Sequence, residues 1–187
     1  HFPDFLIVGP QRTGTTWFHA ILGQHPEVFL SEPKEIHFFN KLKRRDSPRF
    51  VSDKLDWYLS FFKQGPVKAL RRQIANLWRH RLLYALKMSG EATASYAVLD
   101  TDVIDEIVVL NPEVRVIMTL RDPVDRAWSH AKKDLSRNRS RSLSDVRSEE
   151  FKEFFERPFQ RRCARYETCI QNWSTRLQHG HLLVCQF

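Results

Sequence analysis

The sequence predicts an α/β fold of three layers, in which helices cover both faces of a central parallel sheet. Short apolar runs alternate along the chain with segments of helical periodicity, which is the pattern of strands joined by crossover helices. The run 114–120 is rich in β-branched residues, as strands buried on both faces are. With 187 residues, of which 42% are hydrophobic, the chain can bury one substantial core. We therefore expect a single domain over residues 1–187.

The first half of the chain begins with an apolar strand at 5–8 and a helix at 15–22, which Gly23 ends. A short strand follows at 28–30, and a strand at 85–90 leads into a polar segment. Four aromatic side chains should cover the core between them: Trp57, Tyr58, Phe61 and Phe62. Apolar residues at helical spacing predict an amphipathic helix: Val67, Leu70, Ile74, Leu77 and Trp78.

In the second half, a helix at 103–110 precedes the buried strand 114–120. Asp122 and Pro123 then form a strong helix-start signal, because an N-cap aspartate is followed by a first-turn proline. Apolar residues that recur at sequence steps of four and three predict one long helix, which Gly180 terminates. The residues expected to face inward are Phe159, Cys163, Tyr166, Ile170, Trp173 and Leu177. A last strand occupies 182–185.

The segment 9–17 has the form of a phosphate-binding loop. Gly9 and Gly14 are separated by four residues, an apolar strand enters the loop, and a helix leaves it, so that backbone N–H groups and the helix dipole can hold an anion. In a P-loop NTPase a lysine follows the second glycine, but here that position is Thr15. The cation stands inside the loop instead, as Arg12. This displacement indicates a phosphate ligand other than a triphosphate with Mg²⁺.

Charge favours an anionic partner. The chain holds 30 Lys and Arg against 22 Asp and Glu, which gives a net charge of +8. A nucleotide, an acidic carbohydrate, a nucleic acid or a membrane surface would each satisfy this balance. Basic clusters at 43–45, 137–141 and 161–165 either guide an anionic acceptor or are solvated. No apolar run approaches the length of a membrane span.

Four segments carry a family resemblance when they are taken in order: the loop 9–17, the segments 33–39 and 90–96, and the run 121–130 with its pattern Arg-Asp-Pro-x-x-Arg-x-x-Ser. The chain resembles the sulfotransferases that use 3′-phosphoadenosine 5′-phosphosulfate (PAPS). Residues 34–39 look more like the carbohydrate and heparan-type branch, with its bacterial relatives, than the small-phenol branch. The resemblance implies a P-loop-like fold and a PAPS-dependent enzyme that requires no metal.

By this resemblance, one set of residues binds the cosubstrate PAPS: Arg12, Thr13, Gly14, Thr15, Thr16, Trp17, Arg121 and Ser129. The loop would hold the 5′-phosphate, and Arg12 would take the place of the usual catalytic lysine at the leaving phosphate. Arg121 and Ser129 match the family's 3′-phosphate site. Taken alone, Arg121 is as well explained by an ion pair with Asp125.

An acceptor hydroxyl also needs a base to remove its proton. The resemblance assigns this role to Glu35, and we expect burial beside Phe38 and Phe39 to raise its pKa. His37 is the alternative, since an imidazole titrates nearer neutrality. Lys34 is expected to contact the acceptor. Glu91 is expected either to contact the acceptor or to hold Arg12 in place.

The acceptor is expected to be a carbohydrate or small molecule, with an anionic one fitting the charge, and neither nucleic acid nor a membrane span is expected. Family members usually continue beyond the strand 182–187, so we expect the domain to lack the family's C-terminal segment. The resemblance implies a cytoplasmic enzyme if the source is bacterial and a Golgi lumenal one if it is eukaryotic. Two other functions stay open, a P-loop kinase or ATPase and a non-catalytic polyanion-binding domain. The first is suggested by the apolar run 116–120, which ends close to Asp122 as a metal-binding strand would.

Overall fold

Strands of the described chain form one parallel sheet in the computed structural model, which describes residues 1–42, 50–81, 83, 85–136 and 140–187. Its five strands are β1 (Phe5–Val8), β2 (Val28–Leu30), β3 (Met88–Ala92), β4 (Arg115–Leu120) and β5 (Leu182–Gln186). They lie in the order β2-β3-β1-β4-β5, and every neighbouring pair is parallel. The central strand β1 therefore delivers the loop that follows it to the middle of the sheet's carboxyl edge.

Eight α-helices connect and cover the strands within the same described ranges: α1 (Thr15–Leu22), α2 (Leu55–Ser60), α3 (Pro66–His80), α4 (Thr101–Leu110), α5 (Pro123–Leu135), α6 (Ser148–Glu156), α7 (Pro158–Ala164) and α8 (Tyr166–Ser174). None of the helices in this part of the chain is both long and apolar enough to cross a bilayer.

Two apolar layers lie on opposite faces of the sheet, as alternation along β1 requires. Leu6 and Val8 face the larger layer, which α4 and α8 complete and in which Trp173 is fully buried. Phe5 and Ile7 face the smaller layer beneath α1. The α/β fold with helices on both faces of a parallel sheet is thus confirmed, and the aromatic residues of α2 pack against the larger layer as expected.

The single long helix expected around 159–177 is wrong, because the chain bends at Arg165 and α8 ends at Ser174, before Leu177 and Gly180. Pro158 is the first residue of α7, and a residue that precedes proline is disfavoured in helical conformation, which separates α6 from α7. At Arg165, with φ −91° and ψ 70°, the chain turns again into α8. The apolar periodicity continues across the bend, since α7 buries Cys163 and α8 buries Trp173.

Two further expectations are corrected. Strand β3 lies two to three residues later than the apolar run 85–90 suggested, because its pairing with β1 places Glu91 opposite Leu6, inside the strand. Helix α3 forms as expected, but its apolar residues are exposed. The basic clusters at 43–45 and, in part, at 137–141 lie outside the described residues.

Candidate active site

The loop between β1 and α1 has the geometry of an anion-binding turn. Gly14 adopts φ 90° as the N-cap of α1, a left-handed conformation that glycine accepts without steric cost. Its carbonyl accepts hydrogen bonds from the N–H groups of Trp17 and Phe18, which start the helix. The N–H groups of Thr15 and Thr16, at the first turn, have no carbonyl one turn earlier to bind within an α-helix. The positive end of the helix dipole therefore faces the carboxyl edge of the sheet.

Thr13 fastens the loop to the sheet from beneath. Its Oγ1 donates to the carbonyl of Pro10 at 2.8 Å, and it lies 2.8 Å from Oγ1 of Thr119 on β4. A side chain at Gly9 would collide with both threonine hydroxyls, so only glycine fits there. Thr13 is completely buried, which commits its hydroxyl to the fold, whereas Thr16 and Trp17 remain exposed.

Phe187, which the sequence did not single out, packs on the same loop. Its ring lies against Gly14, so closely that a Cβ there would overlap it, and its centroid is 6.2 Å from that of Trp17. Phe187 follows β5, and its N–H donates to the carbonyl of Leu120 at 2.7 Å. The loop is thus bordered by an exposed aromatic pair.

Arg12 joins the loop to helix α5. Its Nε donates to Oγ of Ser129 at 3.0 Å, although the two residues are 117 positions apart. The two side chains border a cavity of about 250 Å³ that is rich in donors and cations, with the lining Arg12, Ser129, Lys132, Lys133, Ser136 and Leu143. The two lysines were not proposed from the sequence, yet they lie three and four residues after Ser129 and so share its helix face.

Arg121 follows β4 directly and stands at the same carboxyl edge. Its Nη2 is 3.7 Å from Oδ2 of Asp125, and its carbonyl accepts a hydrogen bond from the Tyr166 hydroxyl at 2.8 Å. The ion pair foreseen as the alternative for Arg121 is therefore present. The side chain keeps about a third of its surface exposed, so it remains accessible to an anion.

Asp122 caps helix α5. Its Oδ1 accepts hydrogen bonds from the N–H groups of Val124 and Asp125, each at 2.9 Å. This confirms the helix start expected from the sequence. Because that oxygen is committed to the cap, the resemblance of strand β4 and Asp122 to the metal-binding strand of an ATPase has no support from the geometry. No cluster of His, Cys, Asp and Glu able to hold a metal ion exists among the described residues.

Arg126 places a buried positive charge beneath the loop. Only 1% of its surface is exposed, and its Nη1 reaches the carbonyl of Gln11 at 3.5 Å. A cation in a poorly solvated position next to the loop favours an anion above it, since Coulomb interactions strengthen as the local dielectric falls. Arg126 lies within the Arg-Asp-Pro-x-x-Arg-x-x-Ser pattern, but its position there did not reveal that it would be buried.

Glu35 is held at the carboxyl end of β3 by its backbone N–H, which donates to the carbonyl of Ala92 at 2.9 Å. Its carboxylate lies between two basic side chains, with Oε1 at 3.0 Å from Nζ of Lys34 and Oε2 at 3.5 Å from Nε2 of His37. Nδ1 of His37 is in turn 3.3 Å from Oγ of Ser95. Lys34 is therefore a partner of Glu35 in this structure.

The expectation that burial raises the pKa of Glu35 is wrong. The hydrogen bond with His37, together with the Lys34 ammonium, overcomes the opposing effect of burial and lowers the pKa of this carboxyl to about 2. Its environment is polar on one side, and about a third of the side chain remains exposed. Glu35 is consequently ionised throughout the physiological pH range.

Arg12, Glu35 and His37 border one cleft of about 480 Å³ at the carboxyl edge of the sheet. Other residues of its lining include Gln11, Asn40, Lys41, Ser95, His130, Lys133, Asp134, Phe154, Arg157, Phe159 and Gln160. Arg12 and Lys133 also line the 250 Å³ cavity, so the two spaces adjoin at these cations. The smaller cavity is lined mainly by cationic donors, whereas the cleft also contains carboxylates, among them that of Glu35, and the imidazoles of His37 and His130.

Glu91 does not contact this cleft, contrary to the expectation that it holds Arg12 or an acceptor. It is completely buried, and its carboxyl accepts hydrogen bonds from the hydroxyls of Tyr58 at 2.6 Å and Thr93 at 2.5 Å. Burial raises its pKa despite these donors. Its position follows from the register of β3, which turns this side chain into the core beneath the segment that carries Glu35.

The three candidate catalytic residues share an unusual backbone conformation. Arg12, Glu35 and His37 have φ values of 79°, 64° and 60°. Only two other non-glycine residues of the described chain have positive φ, Arg81 and Ser140. Left-handed conformations cost of order 1 kcal/mol or more for such residues and persist where surrounding structure imposes them, often at functional sites.

Comparisons with known proteins bear on the family and the fold. The model of the sulfotransferase family matches residues 3–187. The bifunctional heparan sulfate N-deacetylase/N-sulfotransferase 2 of Homo sapiens is 32% identical over 196 residues, which cover 97% of this chain and 19% of that protein. This chain spans about a fifth of the length of the first three curated relatives it matches.

Solved structures share the fold. The sulfotransferase of Alicyclobacillus acidocaldarius superposes with a TM-score of 0.60 at 22% identity, over 100% of this chain and 73% of that one. A sulfotransferase domain from the curacin biosynthetic pathway has a TM-score of 0.59 at 13% identity, over 100% of this chain and 67% of that one.

Proposed function

Because the chain belongs to the sulfotransferase family, we propose that it transfers the sulfuryl group of PAPS to a hydroxyl or amine of a carbohydrate or small-molecule acceptor. The observation that carries this proposal is that one cleft is lined both by Arg12, from the phosphate-type loop, and by the ionised carboxylate of Glu35. One side suits a leaving phosphate, and the other suits a nucleophile that must lose a proton.

The donor's phosphates have two sets of partners. The N–H groups at the start of α1 and the Arg12 guanidinium would hold the 5′-phosphate. Ser129, Lys132 and Lys133 offer a hydroxyl and two ammonium groups for the 3′-phosphate, with Arg121 at the adjacent strand end. Charge-assisted hydrogen bonds of this kind suit dianionic phosphates and require no metal.

The reaction forms a bond from the acceptor oxygen or nitrogen to sulfur, while the bond from sulfur to the 5′-phosphate oxygen breaks. Negative charge grows on that leaving oxygen, where Arg12 and the helix dipole stabilise it, and the protein's main task is to keep the two groups in line. The acceptor's proton passes to Glu35. Atoms and charge balance, since the products are a sulfated acceptor, adenosine 3′,5′-bisphosphate and one proton, which Glu35 receives and then releases to solvent.

Glu35 is fully ionised and therefore always able to receive this proton, although its low pKa makes it a weak base in the free protein. Its contact with His37 lets the two side chains share the proton once it has been transferred. His37 is the alternative primary base, because its Nε2 lies in the same cleft.

A carbohydrate acceptor is favoured by the heparan sulfate relative. The cleft is lined by four cations, Arg12, Lys41, Lys133 and Arg157, and by two carboxylates, Glu35 and Asp134. Asp134 is paired with Arg157 at 2.9 Å, and the formal charge of the lining is positive. Such a lining suits an acceptor that is itself anionic.

Calorimetry with adenosine 3′,5′-bisphosphate against ATP–Mg²⁺ tests the donor site. We expect the bisphosphate to bind, and Ser129→Ala and Arg121→Ala each to weaken it about tenfold or more, the loss typical of a charge-assisted hydrogen bond. Arg161→Ala removes an exposed arginine outside both cavities and is the matched control. Tight ATP–Mg²⁺ binding without a response to the bisphosphate would point to a kinase or ATPase, and binding of neither would favour the polyanion-binding domain.

A sulfuryl-transfer assay, run beside the calorimetry, tests the base. Glu35→Gln should abolish sulfuryl transfer from labelled PAPS to desulfated heparan fragments while bisphosphate binding stays nearly intact, because the substitution keeps shape and removes the charge. His37→Asn should retain part of the activity. Full activity of Glu35→Gln would move the base to His37.

A further inference from the structure

Helix α3 packs on the protein through its polar face. Asn76 is 7% exposed, and its Nδ2 donates to the carbonyl of Pro26 at 3.2 Å. Arg72 and Gln73, which lie on the same side of the helix, are half-buried. This orientation is the reverse of the usual one, in which an amphipathic helix turns its apolar stripe to the core.

The apolar stripe of α3 consequently faces outward. Trp78 is 86% exposed, and four aliphatic side chains on the same side are about half exposed or more: Val67, Leu70, Ile74 and Leu77. Leu83 and Leu86, which follow the helix in the chain, are exposed as well. A contiguous apolar surface of this kind is rare on isolated soluble domains and usually marks a place where something binds.

The chain segment that contains the stripe is basic, although Lys87 at its end is paired with Glu27 at 2.6 Å between Nζ and Oε1. Residues 63–87 contain no Asp or Glu and seven basic residues: Lys63, Lys68, Arg71, Arg72, Arg79, Arg81 and Lys87. Arg71, Arg79 and Arg81 are exposed. Arg71 borders the stripe on the helix, and Arg81 lines one hollow with Leu77 and Trp78, whereas Arg79 lies on the side of Arg72. An amphipathic helix with Trp and Leu on one side and Lys or Arg beside them is the form that lies in the interface of an anionic bilayer.

The stripe is also at the end of the sheet away from the cleft. Pro26, which binds Asn76, precedes the start of β2, and the N–H of Lys87 donates to the carbonyl of Glu27 just before β3 begins. The loop, Glu35 and Arg121 all follow strand carboxyl ends. A surface that covered α3 would therefore leave the candidate active site open.

We propose that the α3 surface, formed by Val67, Leu70, Ile74, Leu77 and Trp78 with the exposed arginines beside them, docks on an anionic membrane surface. The apolar side chains enter the boundary between headgroups and acyl chains, and the arginines contact lipid phosphates. A second copy of the chain fits poorly, because the two cationic faces would repel each other. A polysaccharide offers charge but no apolar surface for Trp78 and Leu70.

Co-sedimentation with vesicles tests the proposal. The whole chain should bind vesicles of phosphatidylcholine with phosphatidylserine, bind phosphatidylcholine alone much more weakly, and dissociate as salt rises. Leu70→Ser/Ile74→Ser/Trp78→Ser should lower the partition coefficient at least about tenfold, because it removes the apolar contribution. Arg71→Gln/Arg81→Gln should lower it about tenfold or more on the anionic vesicles alone.

Two variants act as matched controls. Val109→Ser/Val124→Ser removes exposed apolar side chains elsewhere, and Arg161→Gln/Arg165→Gln removes the same charge from α7. Both should bind vesicles within about twofold of wild type. Thermal unfolding of all four variants should stay within about 2 °C, as surface substitutions in a chain of this size do.

Several results would overturn the proposal. Failure of the wild-type chain to bind anionic vesicles would do so, as would equal losses in the control variants. If the triple apolar variant bound vesicles as well as wild type, the apolar side chains would not enter the bilayer, and the surface would be a site for polyanions. A dimer in sedimentation velocity that this variant dissociates would assign the stripe to a second copy.

Discussion

Backbone strain is concentrated at the residues that we propose perform the chemistry. Arg12, Glu35 and His37 all have positive φ, and each is fixed by contacts at a distance in sequence or by neighbouring side chains. Arg12 binds Ser129, and Glu35 is tied through its backbone to Ala92. The fold thus holds these side chains in conformations that an unconstrained chain would rarely adopt.

We predict that Arg12→Gly is more stable than Arg12→Ala by about 1 kcal/mol, because glycine accepts φ 79° and alanine does not. Both variants lose the guanidinium, so the difference between their free energies of unfolding in urea isolates the strain. Neither should transfer sulfate at an appreciable rate.

The control for Arg12 is the same pair of substitutions at Lys133, inside helix α5. There the order should reverse, with Lys133→Ala more stable by about 1 kcal/mol, since glycine is a poor helix former. If alanine were the more stable residue at both positions, the left-handed conformation of Arg12 would not exist in solution.

The family resemblance was enough to nominate Arg12, Glu35, Arg121 and Ser129, but it could not supply the environments of these side chains. The low pKa of Glu35 depends on a contact with His37 that the backbone turn at both residues creates. The burial of Glu91 depends on the register of β3. Both are set by tertiary structure, which a spacing pattern does not contain.

At the scale of elements, helix α5 carries most of the side chains that we propose bind the sulfuryl donor PAPS. Ser129 and Lys133 are one turn apart on it, and Arg126 lies three residues before Ser129, so the three follow one face of the helix. Its first turn is fixed by Asp122, whose carboxylate accepts two backbone N–H groups. The position of the proposed PAPS-binding side chains on α5 therefore depends on the N-cap that fixes the first turn of this helix.

We predict that Asp122→Ala lowers the free energy of unfolding by about 1 kcal/mol, the usual value of an N-cap, which corresponds to about 2–4 °C in Tm. Asp122→Asn keeps a side-chain acceptor and should stay close to wild type. Thermal unfolding of the two variants provides the measurement. Equal losses in both would mean that the negative charge, and not the cap, stabilises α5.

The sequence predicted elements well where one signal dominates. The strands before the loop and before Arg121 are short, apolar and bounded by turn residues, and both were found. The prediction of one long helix failed because the bend at Arg165 interrupts a periodicity that both α7 and α8 satisfy. The direction in which α3 turns its apolar stripe was also beyond reach, because amphipathicity identifies a stripe without identifying what covers it.

At the scale of the whole molecule, two carboxyl groups link the segments around the cleft while their pKa values move in opposite directions. Glu35 ties its turn to Lys34 and His37, and these partners lower its pKa to about 2. Glu91 binds the hydroxyls of Tyr58 on α2 and Thr93 after β3, and burial raises its pKa. Stability should therefore respond to pH through two opposing contributions.

The two carboxyl groups change the stability of the fold with pH in opposite directions. A carboxyl whose pKa is lower in the folded protein stabilises it above the ordinary carboxyl range, and this contribution disappears as pH falls towards 2. A carboxyl whose folded pKa is raised favours the folded state at low pH, and that advantage disappears as pH rises above the ordinary range. Replacing each by glutamine removes its titration and leaves its size unchanged.

We predict that Glu35→Gln is less stable than wild type near neutral pH and approaches it as the solution is acidified. Glu91→Gln should show the opposite trend and gain relative to wild type as pH rises from about 4 to about 8, because the wild type must then keep a buried carboxyl protonated or ionise it in the core. Urea unfolding from about pH 2 to about pH 8 measures both differences, with exposed Glu156→Gln as the baseline. If Glu91→Gln instead lost stability with rising pH, the surrounding hydroxyls would outweigh burial, and Glu91 would be an ionised anchor beneath the cleft.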